Sequence, residues 1–286
     1  MKANLTINLD EISSDIDKSI SFFKEMDLHT CELRLINRKN LCLMRKNEVI
    51  NFANKLKKEG IIPVSIASPI FKWNTRNSTK TIVHDNFGIN ANLSSTDKLK
   101  IINNILEYAD ILSVNKIRFF SHLGKTENPV NNLVRDKLFK KIIGNNHTFL
   151  LENEPVCTIC TKKQLEEFVD YNINNDITNV KIWLDIANLI QIGENIDSPF
   201  IEKIAPYISY IHIKDFIYVG NYVKYVPVGT GIIDYNKILS LLNKYIPDSQ
   251  DIIISIETHA KTEDEKYTFS KQSVIELRKK LKEVQI

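Results

Sequence analysis

An α/β fold, and within that class a (β/α)8 TIM barrel, is what three features of the 286-residue sequence predict. Short β-branched apolar runs alternate with longer stretches of helical periodicity. The pair recurs eight times, the number of βα units in a TIM barrel of roughly 250 residues. No G-x-G-x-x-G follows the first run, which removes the main support for a doubly wound dinucleotide-binding sheet. Strict alternation of this kind requires parallel strands joined by right-handed crossovers.

The elements follow in order. Strand Ala3–Asn8 precedes helix Ser13–Met26, which opens on Ser-Ser-Asp and carries Ile16, Ile20, Phe22 and Phe23 near helical spacing. In strand Thr30–Leu35, Glu32 and Arg34 alternate near the end, as a barrel ion pair or as substrate contacts. Helix Glu48–Lys58 stops before Gly60, a C-cap residue. Strand Ile61–Ala67 leads into the long Pro69–Leu93 connection, whose His84 is a lid candidate, and then to helix Thr96–Ser113. Strand Lys116–Ser121 runs into His122, a pocket-lining candidate, ahead of helix Asn132–Ile143. The remaining pairs are His147–Glu152 with Lys162–Tyr171, Val180–Asp185 with Ser198–Ile204, Ile208–Ile213 with Tyr235–Tyr245, and Asp251–Glu257 with Phe269–Val284. The glycine-rich Val226–Gly231 lacks the Gly-Lys-Ser/Thr of a P-loop, so it reads as a turn delivering the chain into the helix after Asp234. No linker, charge block or low-complexity segment divides the sequence, which reads as one domain over residues 1–286.

Composition narrows the function classes. Hydrophobic residues make up 43% and charged residues 26% of the chain, which excludes a disordered or collagen-like protein. A net charge of +3, from 38 basic and 35 acidic residues, is too slight a footprint for nucleic acid or an anionic membrane. The start has no apolar h-region and no run is long enough to span a membrane, so a cytoplasmic location is expected. Cys157 and Cys160 form a C-x-x-C pair, but Cys31 and Cys42 do not supply the second pair of a structural zinc site. Four reduced thiols are the expectation.

The late strands carry the chemistry. Their apolar runs stop at Glu152, Asp185, His212 and Glu257, on the barrel face where active sites are built. One carboxylate at a strand end is ordinarily a helix N-cap or a surface residue. Four such ends in succession, each directly after a buried run, point to a shared centre, since clustered carboxylates repel unless a cation sits among them. Three carboxylates and one imidazole suit one divalent metal ion: Mn²⁺, Mg²⁺ or Co²⁺, with Zn²⁺ also accommodated. Lys214 and His259 lie two residues after His212 and Glu257 and share their faces if the strands continue. Lys214 is expected to hold a substrate oxygen or to pair with a carboxylate, and His259 to contact a ligand or orient Glu257. Glu154, beside Pro155, is placed either at the pocket or in exposed loop.

Glu152-Asn-Glu-Pro155, Trp183-Leu-Asp-Ile-Ala-Asn188, His212-Ile-Lys-Asp215, Pro227-Val-Gly-Thr-Gly231 and Ser255-Ile-Glu-Thr-His259 together resemble the motifs of the sugar isomerase/epimerase superfamily of TIM barrels. That group includes xylose isomerase, ketose 3-epimerases, inosose dehydratase and type IV apurinic endonucleases. The likeness runs through essentially the whole chain. It implies a divalent metal on Glu152, Asp185, His212 and Glu257, with Glu152 and Glu257 as a proton-transfer pair. It further implies that metal coordination of a keto-sugar stabilises the enediolate formed when the adjacent C–H is deprotonated. Return of the proton to the other face inverts that carbon, and delivery to the adjacent carbon isomerises the sugar.

One position departs from the family pattern. Many ketose epimerases place a substrate-contacting histidine where this chain has Asn188, which can hydrogen-bond a hydroxyl but cannot shuttle a proton. The endonuclease members hold three zinc ions on a histidine-rich set, whereas this chain has six histidines and none near Asp185. The expectation is a metal-dependent isomerase or epimerase of a small sugar or keto-sugar, phosphorylated or not. Its substrate contacts are expected from Lys214, Asn188, His259, Arg34, His122 and Glu154. The rivals are an inosose-type dehydratase on the same site, an apurinic/apyrimidinic endonuclease and a non-catalytic sugar-binding barrel. No nucleic-acid or membrane partner is expected, and a homo-oligomer is left open.

Overall fold

The computed structural model describes residues 1–75 and 88–286, and His84 lies outside the described residues. Eight parallel strands close a barrel: β1 (Lys2–Asn8), β2 (Thr30–Leu33), β3 (Ile62–Ile70), β4 (Lys116–Phe119), β5 (Thr148–Glu152), β6 (Val180–Asp185), β7 (Ile208–Ile213) and β8 (Asp251–Ile256). Each strand pairs with the next in sequence. Closure comes from β1 on β8, in register from Lys2 beside Asp251 to Ile7 beside Ile256.

Alternation along each strand sorts the side chains into two populations. Phe149, Leu151, Ile182, Leu184, Ile211, Ile213, Ile254 and Ile256 belong to the large core shared with the surrounding helices. Their neighbours of opposite parity, Leu150, Trp183, Tyr210 and Ile253, join Ala67 in a separate cluster. Trp183 and Tyr210 stack there with ring centroids 3.5 Å apart and planes 24° from parallel. Opposite parity is the inward one, so this stack plugs the barrel beneath the next inward residues, Glu152, Asp185 and His212.

Several boundaries differ from the sequence-based expectation. The expected helix Asn132–Ile143 is two helices, Pro129–Val134 and Lys137–Ile143, because the Asp136 side chain caps the second by accepting Leu138 N at 2.8 Å. The last helix runs Glu263–Glu283, well ahead of Phe269, since Thr262 and Glu265 form a capping box. Strand β2 ends at Leu33, which leaves Arg34 off the strand, and β4 ends at Phe119 rather than Ser121. Two antiparallel hairpins extend the barrel mouth, Leu35–Ile36 with Lys39–Asn40 and Asp215–Val219 with Tyr222–Val226. Among the described residues, no helix is long and apolar enough to cross a membrane. The four cysteines are free thiols, Cys160 half-buried and the others buried.

Candidate metal centre

Glu152 and Asp185 are the last residues of β5 and β6, and His212 stands two residues beyond Tyr210 in β7. Glu257 follows the end of β8 with its amide still donating to Ile213 O at 3.0 Å. Each of the four offers one ligand atom, these atoms all lie within 4.8 Å of one another, and all four residues are buried. His212 Nδ1 lies 2.8 Å from Glu152 Oε1, 3.6 Å from Glu257 Oε2 and 3.8 Å from Asp185 Oδ2.

Buried carboxylates this close need balancing charge, which two arginines and a shared lysine supply. Arg118 Nη1 donates to Glu152 Oε2 at 2.8 Å. Arg34 Nη1 donates to Glu257 Oε1 at 2.6 Å. Lys214 Nζ lies 2.8 Å from Asp185 Oδ2 and donates to Glu257 Oε2 at 3.0 Å. Burial opposes ionisation of Glu152, but Arg118 and His212 outweigh it and bring its pKa down to about 2. Burial likewise opposes the charge on Glu257, which Lys214, His259 and His212 hold well below the usual carboxylate range. Asp185 is different: burial pushes it up to about 6, and Lys214 offsets only part of that.

The donor set fits one divalent cation. Asp185 Oδ2 is ion-paired to Lys214 Nζ at 2.8 Å but makes no aligned hydrogen bond, so among three carboxylates and an imidazole it keeps a lone pair for such an ion. The other Asp185 oxygen accepts the Asn188 amide at 2.8 Å, capping the short helix Ile186–Gln191. Asn153 donates to Asp185 O and accepts from Asp185 N, both at 2.8 Å, and so clamps the end of β5 to the end of β6.

The expected substrate contacts divide. Lys214 sits within the quartet, and His259 Nε2 lies 2.9 Å from Glu257 Oε2, so these two share the centre. Arg34 reaches it through Glu257 and is tied on its other side to Asp10 at 2.8 Å and to Glu11. It does not pair with Glu32, which instead bonds His212, Tyr210 and Asn8. Asn188 spends its side-chain Nδ2 on Asn153 O at 2.8 Å and is buried. His122 packs edge-on against Phe71 with Nε2 3.2 Å from Asp136 Oδ2, and Glu154 lies 3.9 Å from Lys72 Nζ. Of these three, Asn188 touches the quartet, through its backbone N–H on Asp185 Oδ1, while the contacts of His122 and Glu154 do not.

Sequence reasoning passed over Arg118, Asp10, Glu11 and Asn153. Arg118 did leave a signal, a charged residue at inward parity between the buried Ile117 and Phe119. Glu11 left none. Its Oε2 accepts Thr258 N and His259 N, each at 2.9 Å, across a sequence gap that only barrel closure bridges. The hairpin contributes Tyr225, which stacks on His259 with centroids 4.7 Å apart and so walls one side of the mouth.

No curated protein matches the chain in sequence. Among solved structures, the IolI protein with a bound zinc atom is similar at a TM-score of 0.70 and 18% identity, over 99% of this chain and 98% of that one. An L-ribulose 3-epimerase is similar at a TM-score of 0.68 and 15% identity, over 99% and 96% of the two chains. The probable 3-DHS dehydratase AsbF of Bacillus anthracis, involved in petrobactin synthesis, is similar at 0.66 and 18%, over 97% and 99%. At these identities the likeness concerns the fold. A family model described as xylose isomerase-like TIM barrel matches residues 23–277, nearly the whole closed barrel with its site. The chain therefore belongs to the xylose isomerase-like TIM barrel family.

Proposed function

We propose that this chain is a divalent-metal-dependent isomerase or epimerase of a small sugar or keto-sugar, with Glu152 and Glu257 as its proton-transfer pair. The observation that carries this reading is the buried cluster of Glu152, Asp185, His212 and Glu257 at the barrel mouth, its ligand atoms within 4.8 Å of one another. Those four residues would hold the cation, which would supply Lewis-acid stabilisation of the negative charge that builds on a keto-sugar's oxygens.

The chain's own groups do the rest. One carboxylate takes the proton from the carbon beside the carbonyl, and the C–H electron pair becomes the double bond of an enediolate. The other carboxylate returns a proton, to the opposite face for epimerisation or to the neighbouring carbon for isomerisation. Both are held ionised, so both can accept a proton, although a low pKa makes each a weak base. Lys214 Nζ, 3.0 Å from Glu257 Oε2, is within reach of a substrate oxygen bound beside that carboxylate. His259 orients Glu257 from 2.9 Å, and the stacked Tyr225 shields that side from water.

The test is hydrogen exchange. The metal-loaded protein is incubated with a panel of ketoses and inososes in D₂O and followed by NMR. Deuterium is expected at a carbon adjacent to the carbonyl, and Glu257→Gln is expected to abolish its entry while leaving the fold intact. A dehydrated product points to lyase chemistry on the same residues. No exchange across a broad panel, or exchange unimpaired in Glu257→Gln, removes the proposed pair.

A further inference from the structure

Below the ligand set, three strands converge on a single carboxylate. Glu32 of β2 is fully buried. Its Oε1 accepts Asn8 Nδ2 at 2.9 Å, and its Oε2 accepts the Tyr210 hydroxyl at 2.8 Å. Tyr210 itself accepts from Ser65 Oγ at 2.8 Å, so its own proton is free for Glu32. The same Oε2 lies 3.0 Å from His212 Nε2. An ionised carboxylate only accepts, so the ring nitrogen facing Glu32 carries the hydrogen. A ring that holds a cation is neutral with one N–H, and with that hydrogen on Nε2 the lone pair lies on Nδ1. Nδ1 is the nitrogen that faces Glu152, Glu257 and Asp185.

We propose that Glu32 is the positioning residue of this centre: by accepting Nε2–H of His212 it turns the Nδ1 lone pair toward the metal ligands. Two carboxylates compete for the single ring hydrogen, since Glu152 Oε1 is 2.8 Å from Nδ1. Glu152 shares its charge with Arg118 at 2.8 Å, and Glu32 receives neutral donors besides the ring. Glu32 is therefore the better acceptor. Without it the hydrogen moves to Nδ1, bonds Glu152, and takes the lone pair out of the ligand set. The ring plane is held independently by the edge-on Trp183, 4.9 Å away at 84°, so what Glu32 contributes is the tautomer.

This inference rests on the metal reading above, and one experiment separates the two. Zn²⁺ is titrated by calorimetry into the metal-stripped full chain, into Glu32→Gln and into Tyr210→Phe. The Zn²⁺-loaded chains, ¹⁵N-labelled at histidine, then report by long-range ¹H–¹⁵N correlation which ring nitrogen bears hydrogen. The unaltered chain is expected to show Nε2–H with Nδ1 on the metal. Glu32→Gln is expected to bind Zn²⁺ about 10- to 100-fold more weakly. Tyr210→Phe perturbs the same buried network but keeps the Glu32–His212 contact, and is expected to lose much less affinity. Equal affinity in Glu32→Gln, an equal loss in Tyr210→Phe, or zinc on Nε2 in the unaltered chain overturns the positioning role and leaves the metal centre standing. No Zn²⁺ uptake by the unaltered chain overturns both. Should Glu32→Gln not fold, the spectrum of the unaltered chain decides alone.

Discussion

Asp215 shows how one side chain can organise a motif. Its carboxylate accepts four backbone amides, from Phe216, Gly229, Gly231 and Ile233, at 2.9 to 3.3 Å. The Pro227–Gly231 run thus spends its two glycine N–H groups on Asp215, and those of Val228 and Thr230 on Ser273 Oγ and Pro227 O, which is why it cradles no phosphate and instead delivers the chain to the helix capped by Asp234. A Cβ at position 231 would overlap Asp215 Oδ1 and stand 2.6 Å from the Phe216 carbonyl oxygen. Gly231→Ala should cost about 1–3 kcal/mol, read as a lower urea midpoint with unchanged m. At the opposite end of the barrel, burial and the nearby Lys181 depress Lys116 to about 8, with Asp251 opposing, while its Nζ bonds Ser209 Oγ at 2.7 Å. Between pH 8 and 10.5 the unfolded chain keeps a proton that the folded chain has released, so stability rises with pH across that window. Lys116→Met is expected to flatten the rise in Tm over the same range, and a slope identical to the unaltered chain would refute the assignment.

Among the elements, those built from local signals were legible and those built from closure were not. The strands β5 to β8 announce themselves as β-branched runs, and their polar ends stand out because a charge follows a buried stretch. The Thr262 capping box was there to be read, but the first turn, Glu263-Asp264-Glu265, carries no apolar stripe and hid the helix start. The hairpin Asp215–Val219 with Tyr222–Val226 escaped for the opposite reason: its tip exposes Tyr218, Val219 and Tyr222, so the apolar residues mark no core. Arg34 and Glu11 take their meaning from contacts with Glu257 and with the backbone of Thr258 and His259, which exist once β1 lies beside β8, and Asp10 takes its meaning from its ion pair with Arg34.

That closure gives an element-scale prediction. Glu263, in the first turn of the last helix, accepts Ser13 Oγ at 2.8 Å, Ser14 N at 2.9 Å and Ser14 Oγ at 2.6 Å, tying the helix to the segment after β1. Its slight burial opposes ionisation, but the Ser14 and Ser13 hydrogen bonds bring its pKa to about 2. The sign follows: this stabilisation is present above pH 4.5, the ordinary value, and is lost as pH falls through about 2. Glu263 is partly exposed, so solvent screening keeps the contribution under about 1 kcal/mol. Glu263→Gln should lower Tm slightly at pH 7 and leave it unchanged near pH 2; an equal loss at both would assign the effect to shape rather than charge.

For the whole molecule, the site and the fold draw on the same strands. The centre joins the ends of β5, β6, β7 and β8, while Arg34 and Arg118 bring in the connection after β2 and strand β4. A cation held by Glu152, Asp185, His212 and Glu257 therefore bridges half the barrel, and the unfolded chain offers no equivalent set. Binding to the folded state alone stabilises by mass action, about 2.7 kcal/mol at a hundredfold excess over Kd. For a chain of this length that is a rise in Tm of about 5 °C. Differential scanning calorimetry of EDTA-treated protein with and without Mn²⁺ should show that rise, increasing with the logarithm of the free ion concentration. Asp185→Asn keeps the side-chain oxygen that caps the Ile186–Gln191 helix but removes a charge from the ligand set, so it should fold and lose most of the shift. Arg38→Gln, at the exposed surface, should retain it in full. A Tm that ignores the ion in the unaltered chain, or a rise that survives in Asp185→Asn, would mean that the buried carboxylates are balanced by Lys214, Arg34 and Arg118 alone. The barrel mouth would then be a network of ion pairs rather than a metal centre.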